Sequence, residues 1–342
     1  MPQNNLSPAE ICEASVVALG KVLGEIEYQV TKTPKVALRT ITDKVTNKNA
    51  LRVDLYAEDR FEMALAGSSK DERLSKIIIL GEERIEKDPE FKNLTGREET
   101  FALVDMIDGT DLLERGLSNW CSAAVFFRPS EKVGERILAS CVGLPTGEIY
   151  YAHAQSSDVY VKQRLQFDRP VAKPSNIKEL KEASICFYGQ KALNLAKTSE
   201  QRLFQHLIDL STQIKVRREE KENRGEQLTA EDGDITSRFY NLAGIPMMVK
   251  LIDHRIKIAK NIDAVFDVRG QKPHDVVPGA FLALIGGAVM WNLNTSTYAT
   301  HVDLEKALLE PAAKSMRYII ACTKELCEQM QPLLRPVAKG AV

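Results

Sequence analysis

Two apolar runs of four residues, each ending in acid, constrain this chain more than anything else in it. Ile77-Ile78-Ile79-Leu80 leads into Gly81-Glu82-Glu83, and Phe101-Ala102-Leu103-Val104 leads into Asp105-Met106-Ile107-Asp108-Gly109-Thr110. Continuous apolar runs of that length, bounded by turn residues, suit central strands buried on both faces. Side by side, two such strands bring Glu82 and Asp105 together at their carboxyl ends, the edge where open α/β sheets hold ligands. The second run also sets two carboxylates three residues apart, directly before a Gly-Thr turn. Carboxylates hold hard cations, and backbone amides at a turn or helix start hold phosphate.

The flanking sequence alternates helix and strand. Ser7-Pro8-Ala9-Glu10 is a helix start with a capping box, followed by apolar residues at helical spacing from Ile11 to Ile26. A polar, basic loop is expected at 31–49, and a second helix at 53–65. Strands are expected at 122–128, 137–142 and 148–152, the last a hairpin arm after Pro145-Thr146-Gly147. Residues 164–180, with Pro170 and Pro174, read as a connector, dividing the chain into parts at 1–165 and 175–335. The second part shows strands at 183–188, 264–268 and 288–291. Helices are expected at 201–210, at 276–285, and at 241–251 with a break at Pro246. The charged run Arg217 to Gln227 reads as a solvated loop or helix end. The alternation makes the fold α/β or α+β, not a repeat array.

Composition closes off several function classes. A net charge of -1 on 342 residues gives no basic field, which argues against nucleic acid as a partner. The six cysteines are scattered without a C-x-x-C pair, so they read as reduced thiols and not as a disulfide frame or zinc site. The N-terminus lacks a signal-peptide pattern. The longest uncharged apolar stretch, Val276 to Trp291, carries Pro278 and three glycines and falls short of a span of roughly 20 residues. A soluble, cytoplasmic protein without a membrane partner is the expectation.

Five acids stand out: Asp59, Glu82, Asp105, Asp108 and Asp275. Singly, each has a plain structural reading. Asp59 is a solvent-facing helix acid, Asp275 a cap for the helix at 276–285, and Asp105 and Asp108 side chains that tie a turn. Their occurrence after buried apolar runs favours a shared site. Haloacid-type phosphatases carry Asp-x-Asp-Gly-Thr after a similar run. Here Ile107 stands two before Gly109, and Asp105 lies three before Asp108, so the spacing does not suit a nucleophile and acid/base pair of that kind.

Gly81-Glu82-Glu83, then Asp105 to Thr110, then Asp275 opening an apolar helix that ends in Gly286-Gly287, resemble the inositol monophosphatase-like family. That superfamily of magnesium-dependent, lithium-sensitive phosphatases includes fructose-1,6-bisphosphatases and bisphosphate nucleotidases. The resemblance extends through the N-terminal helix, Asp59, Gly147 to Ala152, and the strand at 317–321. It implies a layered αβαβα sandwich and a homodimer. It implies a hydrolase that releases phosphate from a small phosphorylated polyol, sugar or nucleotide. By the same resemblance, Glu82, Asp105 and the carbonyl of Ile107 hold one Mg²⁺, and Asp105, Asp108 and Asp275 a second. A weaker third ion lies near Glu82, and Li⁺ inhibits. Asp59, Thr110 and Glu82 orient or activate the attacking water. Gly109, Thr110, Asp108, Asp275 and Gly244 contact substrate. The chain departs from the family at Met106, where proline is usual, at Asp111 to Glu114, at His274 and at Val277-Pro278. The inositol-type acid seven residues before the late aspartate is Val268 here, flanked by Asp267 and Arg269. The departures leave open a 3′(2′),5′-bisphosphate nucleotidase. They also leave open a catalytically impaired homologue that acts as a metal-binding or partner protein.

Overall fold

The computed structural model describes residues 6–32, 40–42, 49–163, 168–171, 173–187, 200–242, 244–253, 262–312 and 316–334. The first half runs α1 (Pro8–Lys32), β1 (Thr40–Thr42), β2 (Asn49–Leu51), α2 (Arg52–Ala66), β3 (Ile78–Leu80), α3 (Glu82–Lys87), β4 (Phe101–Asp108) and α4 (Thr110–Glu114). It continues through β5 (Cys121–Phe127), β6 (Ile137–Gly143), β7 (Ile149–His153), β8 (Tyr160–Lys162) and β9 (Arg169–Pro170). The second half runs β10 (Ser184–Phe187), α5 (Glu200–Asn223), β11 (Arg238–Asn241), α6 (Gly244–Ile252), β12 (Ala264–Gln271) and α7 (Val277–Ile285). It ends with β13 (Val289–Asn292), β14 (Thr297–Ala299), α8 (His301–Leu309), β15 (Met316–Ala321) and α9 (Lys324–Leu334).

Two sheets carry the fold. Strands β3 to β9 form a seven-stranded sheet in sequence order, and the six-stranded sheet has the order β11-β10-β12-β15-β13-β14. The two apolar runs pair parallel, with Leu80 opposite Leu103, so their acids do emerge at one edge. The outer face of the first sheet is covered by α1 and α2. Ile11, Leu19, Val22 and Ile26 pack with Val53, Ala57, Phe61 and Leu65 against Val104, Phe126 and Cys141. Each such fully buried aliphatic side chain contributes about 1.5–3 kcal/mol. The inner face meets α6 and α7 through Val125, Val142, Met248 and Phe281, and the second sheet lies beyond them. Helices α5 and α9 cover its far side, with Leu203, Leu207, Leu326 and Met330 buried. The layers are therefore α, β, α, β, α.

Local chemistry explains the element ends. The Ser7 backbone N–H donates to the Glu10 carboxylate at 2.7 Å, and Glu10 N donates back to Ser7 Oγ at 3.3 Å, which closes the expected capping box. Helix α1 runs on to Lys32, and short β1 and β2 pair within the stretch expected as a loop; the rest of that loop lies outside the described residues. Pro246 falls in the first turn of α6, where no intrahelical N–H is lost, so the expected break does not occur. The charged run continues α5 to Asn223 because Lys221 pairs with Asp232 at 2.6 Å and Arg218 with Asp234 at 2.8 Å. The connector supplies β9 as an edge strand, with residues 164–167 and 172 outside the described set. All six cysteines are free and buried. Among the described residues, no helix is long and apolar enough to cross a membrane.

Candidate active site

The site is built on the end of β4. Two residues three apart on a regular strand point to opposite faces. Here Asp105 pairs with Ala123 and Asp108 with Cys121, three steps on β4 against two on β5. That one-residue bulge returns both carboxylates to the same side, the re-aiming that bulges perform. The expected strand ended at Val104; the bulge lets it run to Asp108. The Ser122 hydroxyl fixes the Met106 carbonyl at 2.7 Å, and Met106 itself is buried against the α1–α2 layer. Gly109, at φ 94°, then turns the chain into α4, a left-handed conformation that glycine alone adopts without strain. The Thr110 hydroxyl donates to the Ile107 carbonyl at 2.8 Å.

The other acids arrive from separate layers. Ile245 N, in the first turn of α6, donates to Asp108 at 2.9 Å and ties the central helices to β4. Asp275 accepts from Lys272 N at 2.9 Å in a 3₁₀ turn after β12, and so does not cap α7. The Lys272 ammonium reaches Glu82 at 3.0 Å. His274, 2% exposed, brings Nε2 to 3.3 Å from Asp275 and 3.9 Å from Glu82.

Electrostatics record this crowding. Burial, followed by the charges of Asp108, Asp275, Glu82 and Asp54, holds the Asp105 carboxyl well above the usual carboxylate range. Burial and Asp275 push Asp108 up to about 7, against the opposing pull of the Ile245 N–H. Carboxylates that share a site in this way resist ionising together.

Asp59 is not part of the cluster. Val53, Ala57, Phe61 and Leu65 form the buried stripe of α2, and Asp59 sits two residues after Ala57, about 200° around the helix, where it is exposed. The acids of α2 that face the site are Asp54, whose charge acts on Asp105, and Glu58, whose carboxylate lies where a side chain at Gly81 would stand. The stripe, read with its phase, would have selected 54 and 58. Gly244 opens α6 beside the Tyr318 hydroxyl and the Gln271 amide, one residue from the Ile245 N–H on Asp108. Asp267 turns back on its own strand and accepts from Arg269 N and Gly270 N at 2.8 and 2.6 Å.

The donor set suits a hard divalent cation: carboxylate oxygens and a carbonyl, with Asp108 buried, Glu82, Asp105 and Asp275 half-buried, and the acids mutually repelling. Asp105 uses one oxygen on Ile107 N and Asp108 one on Ile245 N, which leaves each a second oxygen. As the side chains stand, no three His, Cys, Asp or Glu groups among the described residues converge on one metal-sized point.

The architecture is the inositol monophosphatase fold. Extragenic suppressor protein SuhB from Bartonella henselae superposes with a TM-score of 0.59 at 11% identity, over 97% of this chain and 99% of that chain. A calcium-bound IMPase family protein from Staphylococcus aureus gives 0.57 at 16% identity, over 96% of each chain. A staphylococcal IMPase-I in complex with products gives 0.57 at 17% identity, over 92% of this chain and 91% of that chain. Neither a family profile nor a curated protein matches the sequence.

Proposed function

We propose that the chain is a Mg²⁺-dependent phosphomonoesterase acting on a small phosphorylated polyol, sugar or nucleotide. The observation that carries this reading is the gathering of Glu82, Asp105, Asp108 and Asp275 around the bulged end of β4, beside the Gly109-Thr110 turn, where burial and the neighbouring acids raise the carboxyls of Asp105 and Asp108 above the usual range. Acids gathered in this way repel one another and are stabilised by hard cations. The product-bound and calcium-bound relatives of the same fold support that chemistry.

Glu82, Asp105, Asp108, Asp275 and the Ile107 carbonyl would hold the cations. Bound there, Mg²⁺ lowers the pKa of water and neutralises charge on the phosphoryl oxygens. The protein does the rest. The Gly109 and Thr110 N–H groups receive phosphate oxygens, and Gly109 lets the backbone approach closely. The Thr110 hydroxyl, with the Asp54 and Glu58 carboxylates of α2, orients the attacking water and takes its proton. In this reading Asp105 and Asp108 serve as metal ligands, and neither becomes a covalent nucleophile. Lithium, competing for the same oxygens, inhibits.

A second reading has one observation in its favour. The Lys272 ammonium on Glu82 puts a protein cation where a metal ligand is needed, as a catalytically impaired, ligand-binding homologue would allow. Purified protein assayed with inositol-1-phosphate, fructose-1,6-bisphosphate and adenosine-3′,5′-bisphosphate, with and without Mg²⁺, separates the two. Phosphate release that needs Mg²⁺ and disappears in Asp105→Asn supports the enzyme. Tight metal binding with no release from any ester supports the binding protein.

A further inference from the structure

A protein cation already reaches the acids. Strand β12 ends at Gln271, and the next residue, Lys272, opens the 3₁₀ turn that carries Asp275. Two backbone contacts lock that turn. Lys272 N donates to the Asp275 carboxylate at 2.9 Å, and Asp275 N donates to the Lys272 carbonyl at 3.1 Å. Pro273, buried between them, fixes the backbone at the first position of the turn. The Lys272 side chain then leaves its own sheet. Its ammonium lies 3.0 Å from Glu82 Oε1, at the start of α3 in the other half of the fold. His274 Nε2 stands 3.9 Å from the second Glu82 oxygen, outside hydrogen-bond distance. Lys272 therefore touches one acid from each sheet.

The exposure of the pair decides what it can do. The Lys272 and Glu82 side chains are 32% and 43% exposed. An ion pair open to solvent shifts an equilibrium by no more than about fivefold, because water screens it and two long side chains lose freedom. That is enough to steady Glu82 among acids whose charges repel it. It is too little to hold the carboxylate against a divalent ion. At about 2.1 Å from an oxygen, Mg²⁺ brings twice the charge to about two thirds of the ammonium's 3.0 Å, roughly three times the Coulomb attraction in the same medium. Several carboxylates share that ion, which adds to its advantage.

We infer that Lys272 is a tethered competitor of the divalent cation: its ammonium neutralises Glu82 in the metal-free protein, yields the carboxylate to Mg²⁺, and so raises the concentration at which the site fills. The inference rests on the reading of Glu82 as a cation ligand and adds the residue that contests it. It also recasts the contact that favours a non-catalytic homologue, since an exposed, exchangeable pair tunes the metal requirement and does not block the site. With the ammonium released on loading, wild type and Lys272→Met differ only when metal-free. The stability that Lys272→Met loses in EDTA then equals the Mg²⁺ affinity that it gains.

The test is a double-mutant cycle read without substrate. Wild type, Lys272→Met, Lys272→Gln, Glu82→Gln and the Lys272→Met/Glu82→Gln pair are stripped with EDTA, then titrated with Mg²⁺ in a calorimeter. Each is also unfolded in urea, in EDTA and at saturating Mg²⁺. Lys272→Met and Lys272→Gln are expected to bind Mg²⁺ about two- to fivefold more tightly than wild type. They should unfold at lower urea in EDTA and rejoin wild type at saturating Mg²⁺. Both effects should vanish in the Glu82→Gln background, because the contested carboxylate is gone. Weaker or unchanged Mg²⁺ binding by both single Lys272 variants would mean that Lys272 only supports the turn, which overturns the inference. Effects that persist in Glu82→Gln, in affinity or in EDTA unfolding, would reflect general charge and overturn it too. In either case Mg²⁺-dependent phosphate release by wild type leaves the phosphatase reading standing. Wild type that binds no Mg²⁺ removes both.

Discussion

Asp108→Asn should make the protein more stable and inactive, with the stability gain growing as pH rises. Asp108 is 5% exposed, and burial with the charge of Asp275 raises its pKa to about 7. A rise from an ordinary value of about 4 corresponds to about 4 kcal/mol, at about 1.4 kcal/mol per tenfold change. Between those two values the native state holds a proton that the unfolded chain has released. Stability therefore falls as pH rises through that window, and the full penalty is present above it. Asparagine keeps an oxygen for the Ile245 N–H and removes the charge, while its buried amide gives back about 1 kcal/mol. The expected net gain over wild type is about 1–3 kcal/mol at pH 8 and smaller by about 2–3 kcal/mol at pH 5. Urea denaturation in EDTA at both values measures it, with the slope checked for constancy. Added Mg²⁺ should shrink the difference, because it binds folded wild type more tightly than the variant. A gain that ignores pH, or a variant less stable than wild type at pH 8, would refute the reasoning.

Other substitutions probe separate parts of the account. Asp54→Asn or Glu58→Gln should lower kcat/KM on the order of tenfold to 10³-fold, within the range for lost proton-transfer groups, whereas Asp59→Asn should change it less than twofold; steady-state kinetics decides. Gly109→Ala, forced to a left-handed backbone, should cost about 1–2 kcal/mol in denaturant unfolding and lose activity even at saturating Mg²⁺. Lys272→Met, which removes the ammonium from Glu82, should lower the Mg²⁺ concentration giving half-maximal rate several-fold; a higher requirement would show that Lys272 supports the site. Phe61→Ala, in the α2 stripe against Phe126, should cost about 3–5 kcal/mol in thermal or urea unfolding with the metal requirement unchanged.

Elements with an unambiguous period were legible from residues alone. The two apolar runs paired as parallel neighbours, and α1, α2 and α7 ended within a few residues of expectation. Strand β11 was missed because Arg238-Phe239-Tyr240-Asn241 has neither alternation nor an apolar run; its pairing with β10 makes it a strand. The extension of β4 to Asp108 depends on a bulge, which is a property of two strands and not of one. Asp59 was selected from its surrounding motif, yet helix phase decides which acid of α2 faces the site, and Asp54 and Glu58 follow the buried stripe by one position. Lys272 was not singled out at all, because its contact with Glu82 joins positions 190 residues apart on different layers.

The stereochemical course at phosphorus tests the central claim most directly. A substrate ester with a chiral, isotopically labelled phosphoryl group would be hydrolysed in Mg²⁺, and the configuration of the released phosphate determined. Inversion is predicted if, as proposed, Asp105 and Asp108 serve as metal ligands and water displaces the alcohol in a single in-line step. Retention would mean two displacements through a phosphorylated side chain, and would contradict the roles assigned to both aspartates.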